Sequence, residues 1–319
     1  MKKFTLRMFI IAITIFLISG NVSAATELIP GGQIIGLALA DNTLTVVSID
    51  STLGQSAKAA GLQSGDRITR VDNTTVHSID QVRSAVSAAD DTVQLRILRD
   101  GKAKQLTVTP SPTSEGPKLG IYLKEGVTGI GTVTFYDPET GTYGALGHGV
   151  NDTDGNLLAI RYGSAFPATV LSVRKGACGK PGQLIGSLTG DEPIGTISKN
   201  TVQGVFGTAV HYWQGAALPS GKAHAGDAII RSTIDSNAVQ EYSVEILKIY
   251  PNSQNTGRNM LLKITDEALL ETTGGIVQGM SGSPIIQDGK LVGAVTHVLV
   301  NDPTTGYGIF IENMLDAVA

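Results

Sequence analysis

The sequence predicts a mainly β protein with two domains, a small α+β domain followed by a larger β-barrel domain. The chain has 319 residues, of which 41% are hydrophobic, and a single domain usually needs roughly 150 residues. Its 39 glycines follow no collagen or helical period, which indicates many tight turns between short strands. A stretch rich in Pro and Gly favours neither helix nor central strand, so we expect a domain over residues 27–110, a linker over 111–118 and a domain over 119–319.

Composition excludes several classes of function. The net charge is -4 with acidic and basic residues interspersed, so the chain lacks the basic surface that a nucleic-acid partner requires. Cys178 is the single cysteine, which excludes an intramolecular disulfide and a cysteine-based zinc site. No nucleotide-binding glycine loop and no His-Glu-x-x-His motif is present, so we expect neither a cofactor nor a metal.

The first 24 residues have the features of an export signal. Three basic residues precede an apolar run from Met8 to Ile18, and Val22-Ser23-Ala24 then offers the small-x-small pattern of a cleavage site. The run is shorter than the roughly 20 apolar residues of a membrane span, which favours a cleaved signal peptide over a retained anchor. In either case the rest of the chain is expected to work outside the cytoplasm.

The elements of the first domain follow from local patterns. Ser78 can cap a helix over 79–88, because apolar residues recur there at helical spacing. Asp100-Gly101 supplies the turn of a hairpin whose arms alternate apolar and polar residues. The remaining predictions are strands over 34–39, 44–49 and 68–71 and a short helix over 56–60.

The stretch from Ala59 to Ile68, which reads Ala-Ala-Gly-Leu-Gln-Ser-Gly-Asp-Arg-Ile, resembles PDZ domains of the bacterial protease-associated type. The resemblance implies a peptide ligand in a groove between a strand and a helix. The loop that would bind the peptide carboxylate is expected at Ile35, Gly36 and Leu37, where glycine lets backbone N–H groups turn toward an anion. The alternative is that Gly36 only relieves a β-bulge.

The second domain carries a pattern of small residues around a serine. Gly279-Met280-Ser281-Gly282-Ser283-Pro284 precedes an apolar hairpin and resembles the nucleophile loop of chymotrypsin-like peptidases. The resemblance implies a β-barrel fold with Ser281 as nucleophile and the N–H groups of Gly279 and Ser281 as oxyanion hole. Ser283 is expected to pack or to hydrogen-bond nearby backbone.

Because a serine hydroxyl is a weak nucleophile, an imidazole must lie within its reach. His148 ends a small-residue strand, Tyr143-Gly144-Ala145-Leu146-Gly147, and is the predicted general base. His297 either lines the substrate channel or packs at a strand end. The other histidines have no supporting context and are expected to be structural or solvated: His77, His211 and His224.

The third catalytic group remains open between two carboxylates. Asp227 precedes an apolar strand and could lie at a barrel corner, whereas Asp266 lies nearer the nucleophile in the sequence. An orienting carboxylate has no motif of its own and can be distant in sequence, so the residues alone do not decide.

Several longer stretches resemble the stage IV sporulation protein B peptidases: Tyr136-Asp137-Pro138, 143–148, 273–284, 293–298 and Asn301-Asp302-Pro303. That family is described as serine peptidases with a histidine, an aspartate and a serine, and its aspartate maps onto Asp266. The resemblance implies export from the forespore. It also implies cleavage of a membrane-bound regulator, which releases an intramembrane protease that activates a late sigma factor.

Two other readings compete with a serine endopeptidase. The chain could be a catalytically inactive, PDZ-containing envelope scaffold, although the presence of both His148 and Ser281 in small-residue settings disfavours this. Alternatively, Cys178 could be the nucleophile, although the lysines and proline around it indicate an exposed turn.

Overall fold

The computed structural model describes residues 25–318, except residues 153–154, 236–237, 252 and 254–256. The predicted export segment over residues 1–24 therefore lies outside the described residues. Within the described part, no helix is both long and apolar enough to cross a membrane.

Strands dominate the described residues, which confirms the prediction of a mainly β protein. The first twelve strands are β1 Glu27–Pro30, β2 Ile34–Ile49, β3 Arg67–Val71, β4 Thr74–Thr75, β5 Val93–Arg99, β6 Lys102–Val108, β7 Ile121–Tyr136, β8 Thr142–Ala145, β9 Tyr162–Arg174, β10 Gln183–Leu188, β11 Gly195–Thr201 and β12 Gly204–Ala209. The later strands are β13 Leu218–Pro219, β14 Gly226–Thr233, β15 Val239–Ile249, β16 Met260–Ile264, β17 Pro284–Gln287, β18 Lys290–Leu299 and β19 Asp302–Phe310. The helices are α1 Gln55–Ala59, α2 Ile79–Ser87, α3 Glu267–Thr273 and α4 Ile311–Val318.

Two six-stranded barrels are formed by the strands of the described residues. The first closes in the order β2-β7-β8-β12-β11-β9, because β2 pairs with both β7 and β9. The second closes in the order β14-β15-β16-β19-β18-β17. This pair of barrels agrees with the expected chymotrypsin-like fold. Because each barrel is closed, each of its strands has a neighbouring strand on both sides.

The small α+β domain is inserted into the first barrel instead of preceding it. In β2, Leu37 and Leu39 belong to the core of the first barrel, whereas Leu44 and Val46 belong to the core of the small domain. In the same way, β7 begins beside the small domain and ends in the barrel. The structure therefore differs from the predicted boundaries, because the first barrel needs the strand that precedes the inserted domain.

The predicted linker over 111–118 is a turn inside the inserted domain. Ser111 and Lys118 pair through two backbone hydrogen bonds of 2.7 and 2.9 Å. The turn joins β6 to β7, and β7 then runs directly into the barrel. Local composition correctly excluded a helix or a central strand over these residues but could not distinguish a turn within a domain from a connection between domains.

Local patterns explain the interior of the inserted domain. Val93, Leu95 and Ile97 alternate along β5 with polar residues and are completely buried. Ser78 caps α2 by accepting a hydrogen bond from the Gln81 N–H at 3.2 Å, as predicted. The buried face of the strand and the start of the helix therefore follow directly from the sequence.

Candidate active site

A cleft of about 440 Å³ lies where the two barrels meet, and both His148 and Ser281 line it. His148 follows β8 of the first barrel, and Ser281 precedes β17 of the second. The fold thus brings together two residues that are more than a hundred positions apart in the chain.

The backbone directly before His148 adopts an unusual, strained conformation. Leu146 has φ 69° and Gly147 has φ 67°, so two successive residues adopt the left-handed region. A non-glycine residue there costs of order 1–3 kcal/mol, and such strain is concentrated at functional sites. Gly147 is also needed for space, since a Cβ there would lie 3.0 Å from the Thr296 side chain.

The hydrogen bond made by the His148 ring fixes which nitrogen is basic. Nδ1 lies 2.8 Å from the carbonyl oxygen of Gly149. Because a carbonyl only accepts, Nδ1 carries the proton and Nε2 holds the free electron pair that a general base needs. Burial lowers the pKa of His148 below its usual 6.5, although the Gly149 carbonyl opposes this by stabilising the charged ring.

The nucleophile loop is held against the first barrel by Thr132. Its N–H donates to the Ser281 carbonyl at 3.0 Å, and its hydroxyl donates to the Gly279 carbonyl at 2.7 Å. Gly282 makes this approach possible, because a Cβ there would lie 2.0 Å from the Thr132 carbonyl oxygen. The glycines of the motif therefore serve a close contact between barrels as well as a turn.

Two backbone donors of this loop remain available for a ligand. The Met280 N–H donates to Val277 and the Gly282 N–H to Val295. Among the described residues, the N–H groups of Gly279 and Ser281 have no acceptor. Two unpaired N–H groups, one of Ser281 itself and one two positions before it, are what an oxyanion hole at this serine requires.

The hydroxyl of Ser281 donates to the carbonyl oxygen of Thr296 at 2.8 Å. No hydrogen bond joins Ser281 to His148 in the part of the chain that the structure describes. The hydroxyl therefore has to leave the Thr296 carbonyl before it can donate to Nε2 of His148.

His297 is a further residue of the cleft. Its ring lies 5.1 Å from that of His148, centroid to centroid, and its Nδ1 is buried without a hydrogen-bond partner. Burial, with His148 and Arg258 nearby, lowers the pKa of His297 to about 4. Of the two roles left open by the sequence, the structure supports a position in the cleft wall.

Neither candidate carboxylate lies beside His148. Asp266 is the N-cap of α3, and its Oδ1 accepts from the Leu269 N–H at 2.9 Å. Asp227 is exposed on β14. Neither residue lines the cleft. In this structure the Gly149 carbonyl, which no sequence pattern indicates, occupies the orienting position expected of the aspartate.

The other candidate nucleophiles are placed away from this chemistry. Ser283 is completely buried, and its hydroxyl donates to the Ser232 hydroxyl at 3.1 Å. Cys178 is exposed in a turn outside the cleft. Among the remaining histidines, His224 is exposed and bonds Asp288 through Nε2 at 2.8 Å.

The predicted carboxylate-binding loop is not formed at Ile35, Gly36 and Leu37. These residues lie inside β2, where β7 pairs with them on one side and β9 on the other. Both edges of the strand are occupied, so no peptide strand can be added there. This correction follows from the insertion, which makes the first half of β2 a barrel strand.

The groove of the inserted domain lies instead between α2 and the start of β7. A cavity of about 670 Å³ there is lined by Val82 and Val86 of α2 and by residues 117–123. Gly120 has φ 64°, and among the described residues the N–H groups of Leu119 and Gly120 have no acceptor. The segment at Leu119 and Gly120 is thus the candidate carboxylate-binding loop. The sequence contained a signal for it, because Leu119-Gly120-Ile121 has the same apolar-Gly-apolar pattern that suggested residues 35–37.

Comparisons with known families match both parts of the chain. The profile of the SpoIVB peptidase S55 family matches residues 115–315, and that of the PDZ domain matches residues 34–109. The two profiles divide the chain serially, whereas the structure shares β2 and β7 between the domains.

Two curated relatives match a shorter part of the chain. A Rhizobium meliloti protein, named as a candidate zinc metalloprotease, is 36% identical over 101 residues, which are 31% of this chain and 26% of that protein. A similarly named Mesorhizobium japonicum protein is 35% identical over 96 residues, 30% of this chain and 25% of that protein. The chain thus spans about a quarter of the length of these relatives. Within its described residues, no three His, Cys, Asp or Glu side chains are grouped to hold a metal ion.

Solved structures with some similarity include a protease and a PDZ domain. The active form of the M. tuberculosis protease Rv3671c is 14% identical, with a TM-score of 0.36, over 74% of this chain and 82% of that chain. The PDZ domain of an SdrC-like protein from Listeria monocytogenes is 22% identical, with a TM-score of 0.23, over 27% of this chain and 92% of that chain.

Proposed function

The chain belongs to the SpoIVB peptidase S55 family, and on that premise we propose that it is an exported endopeptidase that cleaves a membrane-bound regulatory protein. The chain is a PDZ-containing serine peptidase. In a spore-forming organism, its cleavage would release an intramembrane protease and so activate a late sigma factor. The catalytic assignment rests on one observation, namely that His148 and Ser281 line the same cleft.

Acylation begins with one proton transfer. Nε2 of His148 takes the proton of the Ser281 hydroxyl while Oγ forms a bond to the scissile carbonyl carbon. The carbonyl oxygen becomes an oxyanion, which the N–H groups of Gly279 and Ser281 stabilise. The imidazolium then gives its proton to the leaving amine, and the C–N bond breaks.

Deacylation repeats these steps with water as the nucleophile. His148 removes a proton from water while the water oxygen attacks the acyl carbon, and the bond between that carbon and Oγ of Ser281 then breaks as the proton passes from His148 to Oγ. During both half-reactions the Gly149 carbonyl, 2.8 Å from Nδ1, stabilises the positive ring. This contact supports His148 as the base without a carboxylate beside it.

The groove between α2 and the start of β7 is proposed to bind a peptide. Its strand edge and its free backbone N–H groups at Leu119 and Gly120 suit an added strand that ends in a carboxylate. Bound there, a segment of the substrate or of a partner would be held on the same strand, β7, that reaches the cleft.

The cellular substrate can be tested by comparing membrane proteins. Cells producing the wild-type chain and cells producing Ser281→Ala are compared by quantitative mass spectrometry of their membrane fractions. We expect a membrane-bound regulator that is shortened on its extracytoplasmic side in wild-type cells alone. Identical membrane proteomes, with Ser281→Ala retaining full biological activity, would contradict the proposal.

A further inference from the structure

A cavity that is separate from the groove of the inserted domain adjoins the catalytic cleft, and we call it the second cavity. It has a volume of about 580 Å³ and lies between β7 and the hairpin strand β10. The cleft and this cavity share three lining residues, Leu37, Gly129 and Ile130. A chain leaving the cleft past Ile130 therefore enters the second cavity directly.

The chemistry of the second cavity is apolar. None of its described lining residues is Asp, Glu, Lys or Arg. Phe166, Ile185 and Leu188 contribute large apolar side chains, and Ile185 and Leu188 are 44% and 51% exposed. Exposed apolar side chains beside a cleft are a common mark of a binding surface.

The position of this cavity is fixed relative to the nucleophile loop. The Leu184 N–H donates to the Gln278 carbonyl at 2.8 Å, and the Gln278 N–H donates to the Gly182 carbonyl at 3.0 Å. Leu184 also packs against Gly279, where a Cβ would lie 3.0 Å from its side chain. The strand that forms one wall is thus attached to the residues that form the oxyanion hole.

Glycine at position 36 shapes the opposite wall. Gly36 lines the cavity from β2, and a Cβ there would lie 2.0 Å from a methyl carbon of Leu188. Any larger residue would displace Leu188. This gives Gly36 a role that the sequence did not indicate, since it serves neither a carboxylate loop nor a bulge.

We infer that this second cavity is a remote substrate subsite, which takes an apolar side chain of the same polypeptide whose bond is cleaved at Ser281. The inference rests on the proposed peptidase function of the cleft. Its occupant is a Leu, Ile, Phe or Val side chain of an extended substrate, because the walls offer no partner for a charge and continue those of the cleft.

The distance to the cleft sets the position of that side chain. Thr132 contacts the nucleophile loop, whereas Thr128 lines the second cavity. The two threonines are four positions apart on β7, which is about 13 Å along an extended strand. An extended substrate covers this distance with about four residues, so the apolar side chain lies about four positions from the scissile bond.

The test uses the exported chain without residues 1–24 and a library of ten-residue peptides. Each peptide carries Leu or Asp at one of the four positions on either side of the cleaved bond. For the wild type, we expect kcat/KM to be about tenfold higher with Leu than with Asp at a position about four residues from the bond, mainly through KM. The side on which this preference lies identifies the direction of the bound chain.

Three substitutions separate the subsite from general effects of surface charge. Ile185→Glu and Leu188→Glu place a charge in the cavity and are expected to remove the preference for Leu at the remote position. Leu171→Glu is the matched control, because Leu171 is 66% exposed on the neighbouring strand β9 and lines neither cavity. It should keep the preference.

The inference is wrong if the wild type cleaves peptides without any apolar preference at this distance, or if Ile185→Glu and Leu188→Glu behave as Leu171→Glu does. Failure of the proposed function looks different, because the wild type would then cleave no peptide and its Ser281 would not react with a fluorophosphonate.

Discussion

The rings of His148 and His297 lie 5.1 Å apart in the cleft between the two barrels, and burial lowers the pKa of both. Two neutral imidazoles side by side can remain buried, whereas two charged ones would repel each other at low dielectric. Burial thus favours the neutral form of His148, which its proposed role as general base requires.

The pH dependence of kcat/KM should reflect this burial. A lowered pKa means that His148 loses its proton at a lower pH, so activity should be half-maximal below pH 6.5 and constant above it. His297, with a pKa of about 4, stays neutral over this range. The measurement is kcat/KM for one peptide between pH 4.5 and 8, and a half-maximum above pH 6.5 would contradict the account.

Removing the His297 ring should shift the pH dependence of kcat/KM. His297→Ala admits water to the cleft and so reduces the burial of the His148 ring, and we therefore expect the pKa of His148 to rise toward 6.5 and the acid limb to shift upward. An unchanged profile would mean that His297 does not influence the pKa of His148, and a shift to lower pH would contradict the expectation that His297 keeps water from the His148 ring.

Gly282 should be intolerant of a side chain. Gly282→Ala places a Cβ 2.0 Å from the Thr132 carbonyl oxygen at φ 97°, so we expect the free energy of unfolding to fall by more than about 3 kcal/mol. Gly289→Ala is the control, because Gly289 has φ 71° but no atom within 4 Å of the added methyl group, and it should cost about 1 kcal/mol. Equal effects in urea titrations would show that the contact between barrels is unimportant.

The insertion of the small domain predicts which deletions fold. Leu39 and Val127 face each other on β2 and β7, so replacing residues 40–126 by Asn-Gly should join the two strands through a tight hairpin turn and leave a folded double barrel. Deleting residues 25–110 instead removes β2 from the barrel and should abolish cooperative folding. Circular dichroism and thermal melting distinguish the two, and a folded product of the second deletion would argue for serial domains.

Substitutions of Asp266 test its role as the N-cap of α3. Asp266→Ala removes the acceptor for the Leu269 N–H and should lower the free energy of unfolding by about 1 kcal/mol, whereas Asp266→Asn should retain most of the stability. The capping role also predicts that Asp266→Asn keeps its peptidase activity. A large loss of activity at unchanged stability would place this carboxylate in the catalytic machinery.

Local patterns predicted the elements of the inserted domain because each depends on near neighbours. The Ser78 cap, the alternation along β5 and the apolar hairpin after Ser281 all follow from residues within a few positions of one another. The nucleophile loop was also predictable, since a bent backbone with free N–H groups requires small residues at fixed spacing.

The remaining features depend on pairing between distant segments, which local patterns do not encode. The apolar stretch around Gly36 suits both a ligand-binding loop and a barrel strand, and only its pairing with β7 and β9 decides between them. Likewise, the carbonyl that orients His148 belongs to the backbone of Gly149, and backbone groups leave no mark in a sequence.

The most direct test of the account is labelling of Ser281 by a fluorophosphonate, with the modified residue identified by mass spectrometry. We expect an adduct on Ser281 in the wild-type chain and a rate of labelling at least about a hundredfold lower in His148→Ala, because the base activates the hydroxyl. An adduct on another residue, or labelling of Ser281 at the same rate without His148, would contradict it.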